Sequence, residues 1–413
     1  MRCETNSGTA RATPLGTAWV RAAIGCALGF LAIAGQALAQ TPAFELIEPS
    51  AGFTKTQVYD IADDGTIVAM SYNGSAPDNS PIIRYSPGGV RVEYPTGRAP
   101  RISGDGLVVG YNAEVNAFAP ALVYPDGSQR LSPGVLYQGE VHRGGFEFLS
   151  RDGSVTMMTT AAGLSDRTTY RWNVSTNTTS LPPFPGGSTF NIVTGLSSDG
   201  RIAVGNWAPS SASTDRPWVW EDGGPALSPL TDPNGAPIVF GQAATISGDG
   251  RSIYANGYVI RDGVATMWDS GSIIQGIFPT DASYDGSVLV GDPTGMSWIW
   301  TQATGAVRAR EFLLSHGVHI DANIGLTRLL VSNDGLHFAG SANVPGIGIR
   351  GFVATIPAPS VTSSLVCAGA IATVSGRRRK KYGDENVLAD INMDGVVDMQ
   401  DVVEFTNGYA TPE

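Results

Sequence analysis

A five-residue phrase that recurs seven times constrains the fold of this chain more than any other feature. It reads apolar residue, Ser or Ala, any residue, Asp, Gly, and an apolar run follows each copy. Its aspartates are Asp64, Asp105, Asp152, Asp199, Asp249, Asp285 and Asp334, at intervals of 41, 47, 47, 50, 36 and 49 residues. Self-similarity at such a period indicates one structural unit repeated along the chain. The sequence therefore predicts about seven repeats, numbered 1 to 7 below in the order of these aspartates.

Each copy of the phrase predicts a hairpin. Asp-Gly between two apolar runs favours a two-residue type I′ turn, in which both residues have positive φ. The runs after the turn, such as residues 107–110 and 202–205, are continuously apolar, as in strands covered on both faces. In several repeats a second strand with alternating aromatic residues follows, and its tryptophans are Trp172, Trp218, Trp220, Trp298 and Trp300. Because these tryptophans recur at equivalent positions, we expect them to pack rather than to bind sugar rings.

The repeat length predicts the architecture. Four short strands in about 40 to 50 residues are the size of one propeller blade. We therefore predict an all-β fold, a seven-bladed β-propeller with about 45 residues per blade, over residues 40–356. The last repeat supplies two clear strands, and residues 44–47 are expected to complete that blade and close the ring. A β-sandwich and an elongated β-solenoid are the alternatives that remain open.

The repeat also resembles a known family. Ser-x-Asp-Gly, a following Val-x-Gly and an aromatic-x-Trp strand are similar to the HAF-type repeats of exported bacterial proteins. The resemblance covers about residues 58–356, although Asn116-Ala117-Phe118 or Arg216-Pro217-Trp218 stands where the literal His-Ala-Phe triplet would be. It implies an extracellular propeller.

The N-terminus predicts export. Residues 1–39 have a basic start, an apolar run over 22–34 and the small-x-small sequence Ala37-Leu38-Ala39, which a signal peptidase needs. After this segment the next cysteine is Cys367, so the core must be closed by size rather than by disulfides. The balance of 37 Asp and Glu against 26 Lys and Arg disfavours nucleic acid as a partner. The protein is expected to be secreted or at the cell surface.

The body of the chain contains no recognisable catalytic motif. The one close histidine pair, His316 and His319, lacks further zinc ligands at matching spacing, and no serine occurs in Gly-x-Ser-x-Gly. His337 lies in an apolar strand and is expected to be a satisfied core or rim residue. Carboxylate pairs that could form a glycosidase couple are Asp63-Asp64, Glu221-Asp222 and Asp281/Asp285. Most of these fall at turns, which Asp favours, so we predict that the protein is not an enzyme and has no catalytic residue.

Residues 357–381 have the pattern of a sorting segment. Pro357-Ala358-Pro359 precedes an apolar stretch over 361–375, and a basic cluster follows at 377–381. The pattern resembles the PEP-CTERM type of sorting signal, with Pro-Ala-Pro in place of Pro-Glu-Pro. The resemblance implies membrane contact through residues 361–381, with the basic cluster on the cytoplasmic side.

Residues 382–413 contain the pattern of a twelve-residue calcium loop. Gly395 stands at the sharp turn, and oxygen ligands at loop positions 1, 3, 5, 7, 9 and 12 come from Asp390, Asn392, Asp394, the backbone carbonyl of Val396, Asp398 and Asp401. With Asp at the last position and a single following helix, the segment resembles one repeat of a dockerin, which implies a cohesin-like partner; a full dockerin has two such loops. A basic cluster held in the cytoplasm would leave this loop there too, so the two interpretations of the tail conflict.

These features predict an extracytoplasmic, surface-associated binding or structural propeller with a calcium-binding, dockerin-like tail. Its partners are expected to be a cohesin-like protein, a cell-envelope component or a polysaccharide. The alternative is a carbohydrate-active enzyme or a polysaccharide-degradation component docked through its tail. Exposed carboxylates about 5 to 10 Å apart at one end of the channel would favour the enzyme, whereas a channel filled by apolar or small side chains would favour binding.

Overall fold

The structure is a computed structural model that describes residues 41–358. Gaps in the description fall at 75–79, 114–118, 138–139, 143, 162–166, 183–189, 209–215, 225–227, 237, 239–244, 256, 268–278 and 293–296. The predicted signal peptide, residues 359–381 of the sorting segment and all six predicted calcium ligands lie outside the described residues. Residues 41–356 form one compact unit.

Short antiparallel strands build the first half of this unit. One strand, β1 (Ala43–Ile47), precedes the repeats. Repeats 1 and 2 contain β2 (Lys55–Ile61), β3 (Ile67–Tyr72), β4 (Ser80–Ser86), β5 (Val90–Ile102), β6 (Val109–Ala113), β7 (Ala119–Val123) and β8 (Gln129–Leu131). A separate hairpin, β9 (Val135–Tyr137) and β10 (Glu140–His142), leads to repeat 3, which contains β11 (Gly145–Leu149), β12 (Val155–Ala161), β13 (Arg167–Asn173) and β14 (Thr178–Ser180).

The second half continues the same pattern. Repeat 4 contains β15 (Phe190–Leu196), β16 (Ile202–Ala208), β17 (Arg216–Glu221) and β18 (Ser228–Pro229), and repeat 5 contains β19 (Thr245–Ile246), β20 (Ser252–Ala255), β21 (Tyr258–Arg261) and β22 (Val264–Met267). Repeat 6 contains β23 (Pro279–Ala282), β24 (Val288–Gly291), β25 (Trp298–Thr301) and β26 (Gly305–Arg308), and repeat 7 contains β27 (Gly325–Val331), β28 (His337–Val344) and β29 (Gly348–Thr355). Every Asp-Gly turn connects the first two strands of its repeat.

The hydrogen-bonded sheets do not divide into the predicted seven separate blades. Among the described residues, five sheets have four strands or more, and the two-stranded hairpin β9–β10 forms a sixth. Three of the five hold one repeat each. The other two hold two repeats each, because β5 pairs with both β4 and β6 and because β13 pairs in parallel with β15 at Arg167 and Phe190. The fold is an all-β propeller, and as a count of sheets the prediction of seven blades is wrong.

The N-terminal strand completes the last sheet, as the sequence predicts for residues 44–47. β1 pairs antiparallel with β29 from Ala43 opposite Thr355 to Ile47 opposite Gly351. Ile47 is 1% exposed, and the ring of Phe44 stacks on that of Phe352 with centroids 5.3 Å apart. The two ends of the propeller region are thus joined in one sheet.

The Asp-Gly turns differ from the predicted type I′ geometry. The glycine of every turn has positive φ, for example 71° at Gly106, but none of the seven aspartates does. Instead the N–H of Gly106 donates to the carbonyl of Ser103, and the Asp105 carboxylate accepts from the Ser103 hydroxyl and the Leu107 N–H. Asp therefore stabilises the turn through its side chain, and the left-handed residue is the glycine alone.

Tryptophans of the third strands fill the interior, as predicted. Trp172, Trp218, Trp220 and Trp298 are buried, and Trp300 is half-buried. Gly205, at the end of a second-strand run, makes room for one of these rings. A Cβ on Gly205 would lie 2.0 Å from the carbonyl oxygen of Ile192 and 2.6 Å from the Trp218 ring.

One short helix interrupts the strands between repeats 6 and 7. Helix α1 (Ala309–Ser315) buries Ala309, Phe312 and Leu313 and ends at His316. No helix in the part of the chain that the structure describes has the length and apolar character needed to cross a membrane.

Candidate ligand site in the central channel

A ring of hydrogen bonds connects the seven turns. The ring is formed by the third residue of each phrase, and these residues are Asp63, Gly104, Arg151, Ser198, Gly248, Tyr284 and Asn333. At five junctions the backbone N–H of this residue donates to the carbonyl of the equivalent residue in the next turn. The distances are 2.8 Å from Asp63 to Gly104, 2.6 Å from Gly104 to Arg151, 2.9 Å from Arg151 to Ser198, 2.8 Å from Ser198 to Gly248 and 2.8 Å from Tyr284 to Asn333. Between turns 5 and 6 the Asp249 N–H donates to the Tyr284 carbonyl over 2.7 Å. The repeats therefore surround one central axis.

Side chains of the same turns cross the ring. The Ser198 hydroxyl donates to the Asn333 amide oxygen over 3.2 Å, although these residues belong to repeats 4 and 7. The Asn333 amide nitrogen lies 3.4 Å from the Asp63 carboxylate, and that carboxylate is 3.6 Å from the Arg151 guanidinium of repeat 3. This end of the axis is thus bridged by polar side chains.

The first strand of most repeats carries a β-bulge just before its turn. In β2 the register shifts between Val58 and Asp60, and in β23 it shifts between Pro279 and Asp281. A bulge re-aims the side chain that follows it. The residue directly before each phrase lies at the axis, and in every repeat except the fifth it follows such a bulge. The seven residues are Asp60, Arg101, Phe148, Gly195, Thr245, Asp281 and Leu330.

These residues line a cavity of about 170 Å³ on the axis. Each of the seven repeats contributes to the wall, together with Arg151 from the ring of turns. The wall combines two arginines, two aspartates, hydroxyl groups of threonine and serine, and the apolar side chains of Phe148, Leu149, Ile246 and Leu330. A concave site with a few convergent polar groups on an apolar wall is the usual form of a small-molecule site.

The two aspartates of the cavity occupy equivalent positions and make equivalent hydrogen bonds. The Asp60 carboxylate accepts the N–H of Ile61 over 2.9 Å and that of Ile102 in the next repeat over 3.0 Å. The Asp281 carboxylate accepts the N–H of Ala282 over 2.9 Å and that of Val331 in the next repeat over 3.0 Å. Burial raises the pKa of Asp281 to about 6, although nearby Arg151 and the backbone donors oppose this rise.

The two arginines also connect repeats. The Arg101 guanidinium donates to the carbonyls of Glu147 over 2.5 Å and Tyr59 over 3.3 Å, and it lies 5.3 Å from the centre of the Phe148 ring. Arg151 donates from Nη1 to the carbonyl of Ile61. Among the described residues, no ion pair within 4.0 Å joins either guanidinium to Asp60 or Asp281.

Most of the carboxylates that the sequence suggested as catalytic candidates are engaged with other partners. Asp64 and Asp285 accept N–H donors within their own turns. Glu221 pairs with Arg201 over 2.9 Å, and Asp222 pairs with Arg171 over 3.1 Å. Of the suggested pairs, only Asp281 reaches the cavity.

His337 is a core residue, as the sequence predicted. His337 is buried beside the Thr355 hydroxyl, 3.0 Å from its Nδ1, and burial lowers its pKa. His316 Nδ1 lies 2.8 Å from the Phe312 carbonyl oxygen, and His319 is exposed. Among the described residues no group of three His, Cys, Asp or Glu could hold a metal ion.

Sequence reasoning missed Asp60, Arg101 and Asp281 as neighbours on the axis. Their shared signal is position, because each stands immediately before the apolar residue of its phrase. Their chemistry differs from repeat to repeat, so the regularity that reveals the fold does not mark them as a site.

Comparison with known proteins identifies no family. No protein family and no curated protein matches the chain. The β-propeller domain of the Trilobed protease from Pyrococcus furiosus is 12% identical with a TM-score of 0.48, over 77% of this chain and 94% of that one. Oligogalacturonate lyase in complex with manganese is 12% identical with a TM-score of 0.49, over 76% and 96% of the chains. TolB from Acinetobacter baumannii is 13% identical with a TM-score of 0.36, over 75% and 65%.

Proposed function

We propose that the protein is an extracytoplasmic, surface-associated binding or structural propeller. The observation that carries this proposal is how the charged side chains of the channel are used. Asp60 and Asp281 each accept an N–H from the next repeat, and Arg101 and Arg151 each donate to a carbonyl of another repeat. These groups hold the repeats around the axis, so the hydrogen bonds in which they take part support the structure of the propeller.

The ends of the chain support the proposed location. Residues 1–39 have the pattern of a signal peptide, and the repeats resemble the HAF type of exported proteins. A calcium loop formed by Asp390, Asn392, Asp394, Val396, Asp398 and Asp401 suits a compartment rich in that ion. We propose that this tail binds calcium and attaches the propeller to a cohesin-like protein or to another component of the cell envelope.

Binding and catalysis can be tested in one experiment. The purified full chain is mixed with isolated cell-envelope polysaccharide, and the pelleted protein and the newly formed reducing ends are both measured. Retention of the protein without new reducing ends is the expected result. Release of reducing ends that increases with the concentration of the protein would contradict the proposal. A failure of the protein to pellet with the polysaccharide would contradict it as well.

The tail is tested separately by calorimetric titration of the full chain with calcium. Saturable binding that is lost in the Asp390→Ala/Asp394→Ala double variant is expected, because each substitution removes one carboxylate ligand from the loop. An Asp126→Ala variant, altered in an exposed turn of the propeller, serves as the matched control. If wild-type protein takes up no calcium at millimolar concentration, the dockerin-like interpretation is wrong.

One observation favours the enzyme as a second candidate. Asp281 and Asp60 line the same cavity, and the raised pKa of Asp281 is the property of a general acid that works near neutral pH. On this alternative the protein is a carbohydrate-active enzyme docked through its tail. The reducing-end measurement, repeated with Asp281→Asn, decides between the two, because only the enzyme would release sugar that the variant does not.

A further inference from the structure

We infer that the cavity on the propeller axis is a binding site for a small organic carboxylate, held by Arg101 and Arg151. The inference rests on the proposed function, since it names the class of ligand that a binding propeller of this structure would take. It depends on three properties of the cavity, which are its unused donors, the engagement of its carboxylates and the nature of its wall.

Both guanidinium groups retain hydrogen-bond donors. Arg101 uses Nε and Nη1 for backbone carbonyls, and Arg151 uses Nη1 for a carbonyl and for Asp63. Toward the described residues, Nη2 of Arg101 and both Nε and Nη2 of Arg151 make no hydrogen bond. The Nε and Nη2 hydrogens of one arginine point the same way, and this edge takes both oxygens of a carboxylate at once.

The carboxylates of the cavity do not neutralise these donors directly. Each oxygen of Asp60 and of Asp281 already accepts a backbone N–H. Among the described residues, neither carboxylate forms an ion pair with Arg101 or Arg151 at a distance of 4.0 Å or less. The guanidinium donors are therefore open to an anion brought from outside.

The wall selects an organic anion over a simple inorganic one. Phe148, Leu149, Ile246 and Leu330 supply apolar surface beside the arginines, and Thr194, Thr245 and Thr280 supply hydroxyl-bearing side chains. The volume of about 170 Å³ exceeds the roughly 150 Å³ of an engineered cavity that binds benzene. A ligand of the size of a benzoate or a sugar acid matches this space.

The test is calorimetric titration of the full chain at pH 6 with two matched pairs of probes. Sodium benzoate and sodium glucuronate carry a carboxylate, whereas benzamide and glucose are their neutral counterparts. At least one carboxylate is expected to bind, and its neutral counterpart is expected to bind at least about tenfold more weakly, as for the loss of a hydrogen-bonded charge. Equal affinity within a pair, or no binding of either carboxylate, overturns the inference.

Variants locate the binding. Arg101→Met and Arg151→Met are each expected to weaken carboxylate binding about tenfold or more, whereas Arg251→Met, at an exposed position outside the cavity, is expected to leave it unchanged. Both arginines also hold the ring, so a second pair of variants leaves them unchanged and alters the exposed lining residue Thr280. Thr280→Glu adds a negative charge and is expected to weaken carboxylate binding more than the equally large, neutral Thr280→Gln. Equal effects of Glu and Gln would place the anion elsewhere.

These experiments can contradict the cavity inference and the proposed surface role independently of each other. If no carboxylate binds but the protein still pellets with envelope polysaccharide, the cavity inference is wrong and the binding propeller stands. If carboxylates bind and the polysaccharide is neither retained nor cleaved, the surface role is wrong and the cavity inference stands.

Discussion

The backbone N–H of Asn333, in the last turn, donates to the side-chain carboxylate of Asp63, in the first turn, over 3.3 Å. At the other junctions of the ring the acceptor is a backbone carbonyl oxygen. Within the ring of turns, the link between the last turn and the first thus depends on one side chain, which also contacts Arg151 and the Asn333 amide.

Substitution of Asp63 tests this dependence. Asp63→Asn removes the charge opposite Arg151 and is expected to lower the free energy of unfolding by about 1 kcal/mol, a modest value because the carboxylate is 43% exposed. Asp126→Asn, in an exposed outer turn that Asn also tolerates, is expected to have almost no effect. Urea denaturation of the three proteins measures the difference, and equal midpoints would show that the junction does not need the carboxylate.

Asp281 predicts a pH dependence of stability. Its pKa is raised to about 6 in the folded protein from 3.8, so the folded state holds a proton that the unfolded state has lost between these values. The stability that Asp281 contributes is therefore complete below about pH 4 and is lost as the pH rises through about 6. Relative to Asp281→Asn, wild-type protein is expected to lose about 2 kcal/mol between pH 4 and pH 7. Denaturation curves at several pH values check this, and parallel profiles for the two proteins would contradict it.

The pairing of β1 with β29 predicts that truncating one buried side chain of β1 lowers the free energy of unfolding strongly. Ile47→Ala removes a buried side chain from the core and is expected to reduce the free energy of unfolding by about 2 to 4 kcal/mol. Ala43→Ser, at an exposed position of the same strand, is expected to be nearly neutral. Thermal unfolding of both variants provides the comparison, and a similar small shift in both would mean that the terminal strand is dispensable.

Gly205 predicts the effect of a single added methyl group. The Cβ of Gly205→Ala would overlap the Ile192 carbonyl oxygen and the Trp218 ring, so we expect a loss of about 2 to 3 kcal/mol from overpacking. Gly325→Ala is the control, since its Cβ would meet only Asn343, at an ordinary 3.9 Å. Chemical denaturation compares them, and tolerance of Gly205→Ala would show that the strands can separate to admit the methyl group.

The periodic part of the structure follows from the sequence. The seven Asp-Gly positions locate the turns between first and second strands, residues 44–47 complete the last sheet, and the buried tryptophans lie where their spacing places them. The turns depend on local turn chemistry, and the tryptophans belong to a side-chain pattern that recurs in several repeats. Such patterns can be recognised in a single sequence.

The departures from prediction arise from contacts between repeats. Repeats 1 and 2 merge into one sheet because β5 is long enough to pair with both β4 and β6, and repeats 3 and 4 merge through the parallel pairing of β13 with β15. No local residue marks either contact. The cavity brings Asp60 and Asp281 to one axis although 221 residues separate them, as the numbering shows. In a closed ring, residues that are far apart in the sequence lie close together in space. Only the complete arrangement of repeats therefore shows which side chains are neighbours.

The backbone ring of the turns has a consequence for how this face can diverge. At most junctions the donor and the acceptor are main-chain groups that any amino acid except proline can supply. The residues at this position already include glycine, arginine, serine and tyrosine. Except at Gly104 and Gly248, where an added Cβ would lie within 3.0 Å of a neighbouring turn, substitutions at this position can therefore change the charge, size and polarity of this face one repeat at a time. New specificities can arise there by point mutation on a scaffold that stays closed.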